Sequence, residues 1–145
     1  MKYDSPQNIE MSVELYRNPS DGWEQNLLII NGGNHHHAFG KISGNDEPHI
    51  ITWTLAGNAG DGEFCALDDA NNPGFTWLVR PPSEKIFRQI HHLGKTITMQ
   101  NHHHDTHSEG VWHYQLFARF GEKIYGVPLT FTCGMSNPNP TIKNT

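Results

Sequence analysis

Cysteine is scarce in this chain. Cys65 and Cys133 are the two thiols in 145 residues. A chain of that length buries a sizeable core without cross-links. A disulfide framework is therefore not needed, and both cysteines read as buried thiols. Positive charge is scarce as well. Ten Lys and Arg are spread singly against 15 Asp and Glu, a formal charge of −5. Phosphate binding needs clustered cations, so a nucleic-acid partner is not expected. No apolar run nears the ~20 residues that cross a bilayer. Met1–Glu10 also lacks the apolar stretch of a signal peptide. The expectation is a protein with no membrane partner, located in the cytoplasm. A sustained 3.6-residue apolar period is missing too, and the best helical candidate is one turn at Ser83–Arg88. His-Glu-x-x-His, Gly-x-Ser-x-Gly and the P-loop are all absent, so no catalytic residue is assigned.

What is present is alternation. Trp112, Tyr114, Leu116, Ala118 and Phe120 share one strand face. After Gly121-Glu122, so do Tyr125, Val127, Leu129, Phe131 and Cys133. A two-residue loop pairs Phe120 with Lys123, Ala118 with Tyr125, Leu116 with Val127, Tyr114 with Leu129 and Trp112 with Phe131. A one-residue slip would ruin both faces. Glycine at the first loop position suits a type II′ turn. Pro128 falls where an edge or a bulge tolerates a missing N–H.

Earlier strands are expected at Ile9–Tyr16, Asn26–Asn31, His49–Leu55, Glu63–Leu67, Phe75–Val79, Ile86–His92 and Lys95–Gln100. Turn signals separate them every eight to twelve residues or so, the spacing of a sandwich or barrel. Ile97 and Met99 should face inward, as should Phe75, Trp77 and Val79. The tryptophans, with Tyr114 placed like a tyrosine corner, give the expected fold: an all-β, immunoglobulin-like two-sheet antiparallel sandwich of seven or eight strands. One domain covers residues 1–145. Mean hydropathy is low, −0.62, which suits two layers with long polar loops.

Histidine is the outlier, eleven residues, nine of them clustered at His35–His37, His91-His92 and His102–His104 with His107. Imidazole is the commonest neutral ligand for zinc, nickel or copper. Three consecutive histidines cannot all face one ion. In an extended chain His35 pairs with His37 and His102 with His104. If the two loops meet at one pole, His35, His37, His102, His104 and His107 form a divalent-metal site. Asp105 or Glu109 then binds the ion or orients a ring. The competing expectation is a protein-interaction or homo-oligomeric assembly module; protonating all eleven rings would swing the charge from −5 to +6, which would make such an assembly pH-responsive. Its surface would be the outward face Val111, His113, Gln115 and Phe117, or the Pro128 edge. His49 reads as structural and His113 as facing solvent.

Two further patterns bear on chemistry. Asp68-Asp69-Ala70-Asn71-Asn72 has oxygen ligands but not the spacing of a calcium loop, and reads as a turn. Cys133-Gly134-Met135 lacks the histidine that a blue-copper site places between Cys and Met. The ending Trp112-x-Tyr114, a Gly-containing hairpin, then Asn137-Pro138-Asn139-Pro140-Thr141-Ile142-x-Asn144 resembles the DP-EP family of small bacterial sandwich proteins. There the tail carries acidic residues where Asn137 and Asn139 stand here. The resemblance covers the last quarter of the chain and implies a fold. It implies no activity and carries over no functional residues.

Overall fold

The computed structural model describes residues 5–15, 27–44, 46–127 and 140–145. Among the described residues eleven strands form: β1 (Asn8–Leu15), β2 (Leu28–Ile30), β3 (His36–Phe39), β4 (His49–Leu55), β5 (Glu63–Phe64), β6 (Phe75–Leu78), β7 (Phe87–Leu93), β8 (Thr96–Asn101), β9 (Gly110–Phe120), β10 (Lys123–Gly126) and β11 (Thr141–Asn144). They form two sheets. One runs β2-β1-β4-β8-β7; in the other, β9 carries β10, β11 and β3 in order, with β5 and β6 also paired to it. The fold is all-β, a two-sheet sandwich. It has more strands than expected, and two of its pairings, β1–β4 and β3–β11, are parallel.

Alternation positions most of it. In β4, Ile51, Trp53 and Leu55 point into the core; in β8, Ile97 and Met99 do so without exposure. On β9, Trp112, Tyr114, Leu116 and Ala118 face the same interior. The Trp53 indole Nε1 donates to the Tyr114 hydroxyl at 3.1 Å, joining the sheets. Their rings meet edge to face at 5.2 Å, a geometry worth about 0.5–1.5 kcal/mol beyond burial. That hydroxyl lies 3.9 Å from Met11 Sδ. It binds side chains, not the upstream backbone that a tyrosine corner uses. Burial pushes the phenol pKa well up.

The β9–β10 hairpin has the expected register: Lys123 opposite Phe120, Tyr125 opposite Ala118. Gly121 has φ 66, and Glu122 is not among the positive-φ residues, the signs a type II′ turn requires. Beyond Gly126 the ladder gives way. Gln115 Oε1 accepts from Val127 N at 2.7 Å, and Gln115 Nε2 donates to Val127 O at 2.8 Å. The expected Leu116–Val127 rung is thus replaced by a side-chain amide. Leu129, Phe131, Pro128 and Cys133 lie outside the described residues, and Ile142 of β11 stands opposite Trp112. On the other edge of β9, Cys65 N donates to Phe117 O, and Phe117 N donates to Gly74 O. One residue's N–H and C=O point the same way, so β5 and β6 share that edge.

Three expectations need correcting. Val79 does not continue the inward face of β6: it has φ 63 and is 98% exposed. Arg80 N donates to Leu78 O across it at 2.7 Å, a tight γ-turn that ends the strand. Gln115 and Phe117 do not form an open outward face. Gln115 is buried, and the Phe117 ring lies so close over Gly126 that a Cβ there would meet it at 2.8 Å. Residues 34–40 and 141–144, read as a loop and a tail, contain β3 and β11. β11 pairs with β9 on one side and β3 on the other, so extended pairing overrides their polar composition.

Candidate functional site

The two histidine tracts approach the same end of the sandwich, tied through Thr145. Thr145 N donates to Phe39 O at 3.0 Å, and His103 Nε2 donates to Thr145 O at 2.7 Å. Ile42, three residues beyond β3, donates its N–H to His103 O at 2.8 Å. Lys41 pairs with the Glu109 carboxylate, so Glu109 already has a cationic partner.

The second tract leaves β8 as extended chain, and its side chains alternate. His103 turns inward and is fully buried; its Nδ1 lies 2.7 Å from Ser108 Oγ. Burial holds its pKa below the ordinary value, and Lys41 acts in the same direction. His102 and His104 turn the other way, ring centres 6.0 Å apart. They line a cleft of about 350 Å³ with Ser83, Lys85, Ile86, Arg88, Asp105, His107 and Ser108. Asp105 sits at the head of the short 3₁₀ turn Thr106–Ser108, where Oδ1 accepts from His107 N at 2.9 Å. That cap holds Asp105 and His107 at the rim, Nδ1 to Oδ1 3.9 Å, with His107 almost fully exposed.

Hydrogen bonds assign the tautomers. An oxygen without a proton can only accept, so a ring nitrogen facing it carries the hydrogen. His102 Nε2 lies 2.9 Å from Gln100 Oε1, which leaves its Nδ1 with a lone pair when the ring is neutral. His104 Nδ1 lies 3.4 Å from Ile42 O, which leaves the lone pair on Nε2. That Nε2 is buried and has no hydrogen-bond partner among the described residues. Burial, then the charge of Arg88, then His104 lower the His102 pKa, which favours the neutral ring.

The first tract does not reach this cleft: His35 and His37 are absent from its lining. His37 falls on the inward row with Ile142 and Trp112, its ring 4.6 Å from Phe39, and burial lowers its pKa. The His35 ring meets that of His36 edge-on at 4.6 Å. Among the described residues no group of three His, Cys, Asp or Glu is arranged to hold a metal ion. His49 is held on both sides, accepting from Gln7 N at Nδ1 and donating from Nε2 to Gly40 O.

The sequence did not single out Lys85, Arg88 or Ser83 for this cleft. The sequence signal was the turn at Ser83, whose Oγ accepts from Lys85 N; what brings it to the histidines is His102 N donating to Ile86 O at 2.7 Å. The acidic run is a turn, as expected. Asp69 Oδ1 accepts from Asn72 N and Asn71 N, bonds that lower its pKa. Cys65 is buried, and burial pushes its thiol pKa up. Among the described residues no helix is long and apolar enough to cross a membrane. No protein-family model matches the chain, and no curated protein matches it.

Proposed function

We propose that the cleft under the second histidine tract binds a divalent transition metal, zinc, nickel or copper, through His102 Nδ1 and His104 Nε2. His107 and Asp105 close in from the rim. The observation that carries this reading is His104 Nε2, buried with no hydrogen-bond partner among the described residues, on a residue that lines the cleft. A buried polar atom without a partner costs ~1–3 kcal/mol, and a bound ion removes that cost. Two imidazoles on one tetrahedral ion bring their ring centres to about 5 Å, given Zn–N bonds of 2.0–2.1 Å. The separation here is 6.0 Å, within a rotamer adjustment. Gln100 and Ile42 would then be the outer partners that fix each ring's tautomer. Lys85 and Arg88 oppose a bare dication, so the remaining coordination positions would take an anion, a carboxylate or phosphate, that these cations also hold. His35 and His37 have no part in this narrower form of the site. The DP-EP resemblance stays a proposal about ancestry and adds nothing on activity.

Calorimetry on tag-free protein with zinc, nickel and copper tests it. The expected result is one ion at the cleft, lost in His102→Ala/His104→Ala and weakened more than tenfold in His104→Ala. Affinity no better than that of an unfolded His-containing peptide would overturn it.

A second reading, an assembly module, is favoured by the exposed Val79 and Val111, which flank one cleft with Trp112. Light scattering at pH 7.5 and 5.5 checks it, and a monomer at both rejects it.

A further inference from the structure

The row that faces away from the core across β9, β11 and β3 is His113, Thr141, His36. Thr141 stands opposite His113 on one side and His36 on the other. The row beside it, Trp112, Ile142 and His37, faces inward. Strand alternation thus puts both histidines on the outer face, two strand spacings apart, roughly 9.5 Å between backbones. The His36 ring leans over the strand between them, its Nδ1 2.6 Å from Thr141 Oγ1. It also feels the charge of His113, which lowers its pKa after burial. Two of its neighbours' features matter. His36 Nε2 and His113 Nδ1 are both cut off from water, and neither has a hydrogen-bond partner among the described residues. The His35 ring rests edge-on against His36.

Two bare imidazole nitrogens on the same face call for a common explanation, because buried polar atoms are ordinarily paired. We infer that His36 Nε2 and His113 Nδ1 form a second transition-metal site, separate from the cleft, that clamps β3 to β9 across β11. When His36 donates Nδ1–H to the Thr141 hydroxyl, its lone pair lies on Nε2, and the Thr141 bond is the outer hydrogen bond that metal-bound histidines ordinarily carry. His113 binds through Nδ1, so its proton lies on Nε2. Lys143 lies one row further along the same face and disfavours weakly held cations. The ion that fits is the one that bonds imidazole most strongly among the first-row divalent ions, Cu(II). The site does not depend on the cleft: neither histidine lines it.

The test is copper(II) titration of the tag-free full chain. Wild type, His36→Gln/His113→Gln and His102→Ala/His104→Ala are compared. The expected result is that the Gln pair loses one equivalent of copper and keeps the cleft equivalent, while the Ala pair does the reverse. A Gln pair with wild-type stoichiometry overturns the site; an Ala pair with wild-type stoichiometry overturns the cleft instead. Amide spectra of the wild-type protein decide the matter even if the Gln pair does not fold. Substoichiometric copper should broaden His36, Thr141 and His113 as a set distinct from residues 102–107. Undisturbed signals for those three at copper saturation would refute the site.

Discussion

The side-chain amides of Asn101 and Asn144 form a reciprocal pair between the two sheets. Asn101 Nδ2 donates to Asn144 Oδ1 at 2.8 Å and Asn144 Nδ2 to Asn101 Oδ1 at 3.0 Å. Asn144 Nδ2 also donates to Ser108 O at 2.9 Å. Both residues are buried, so each amide depends on the other. Asn144→Ala should cost about 2–3 kcal/mol in urea unfolding, because it strands a buried amide and a carbonyl. Asn144→Asp should cost more, since a carboxylate would face two oxygen acceptors with no proton to offer. An aspartate variant as stable as wild type would disprove the pairing.

Gln115 stands in for a rung of the β9–β10 ladder. Its Oε1 accepts from Val127 N and from Leu116 N, and its Nε2 donates to Val127 O. Gln115→Glu keeps the shape and the acceptors but removes the donor. It should destabilise by about 1–3 kcal/mol. Faster amide exchange at Val127 would be the local sign. Unchanged exchange and stability would show that Val127 is held by something else.

Val79 is strained without being packed. A β-branched residue at φ 63 that is 98% exposed keeps a left-handed backbone at a cost glycine does not bear. Val79→Gly should therefore leave stability unchanged or raise it by up to ~1 kcal/mol. Most Val→Gly changes lower stability, so a loss above that size would mean the side chain has a partner.

Gly74 sits where backbones touch. A Cβ there would lie 2.1 Å from the Cys65 carbonyl oxygen, and backbone cannot step aside as a side chain can. Gly74 O also receives Phe117 N–H. Gly74→Ala should cost at least ~1–3 kcal/mol, as overpacking does, and lower the thermal midpoint. A neutral outcome would count against this approach of Gly74 to the Cys65 carbonyl.

Acid should unfold this protein from the histidine range downward. Burial lowers the pKa of His36, His37, His102 and His103 below the ordinary value near 6.5. The native state therefore binds fewer protons than the unfolded chain below that pH. Stability is full above about pH 6.5 and falls as the unfolded rings protonate, until the native rings follow. Urea midpoints at pH 7.5, 6.5 and 5.5 should decline in order. Midpoints that stay level would mean these rings are not desolvated.

The hairpin was legible because its signals were local. Turn chemistry at Gly121 and period-two burial from Trp112 to Ala118 agree on one register, and β4 and β8 were equally plain. In the second histidine tract, extended alternation correctly grouped His102 with His104 and set His103 apart. It could not show that His103 would be the buried member, since that depends on Thr145 and Ser108 arriving beside it. β3 and β11 were missed because each has a single wholly buried apolar side chain, Phe39 and Ile142, too little for a pattern in four residues.

By itself, then, the sequence determined the layer architecture, since strand periodicity and turn residues act within a few residues of each other. Tertiary structure decided which polar strands fill the edge of β9, and which histidines share a surface. Those outcomes are set by pairing between segments distant in the chain, where a carbonyl such as Thr145 O, invisible to any local pattern, chooses the ring it faces.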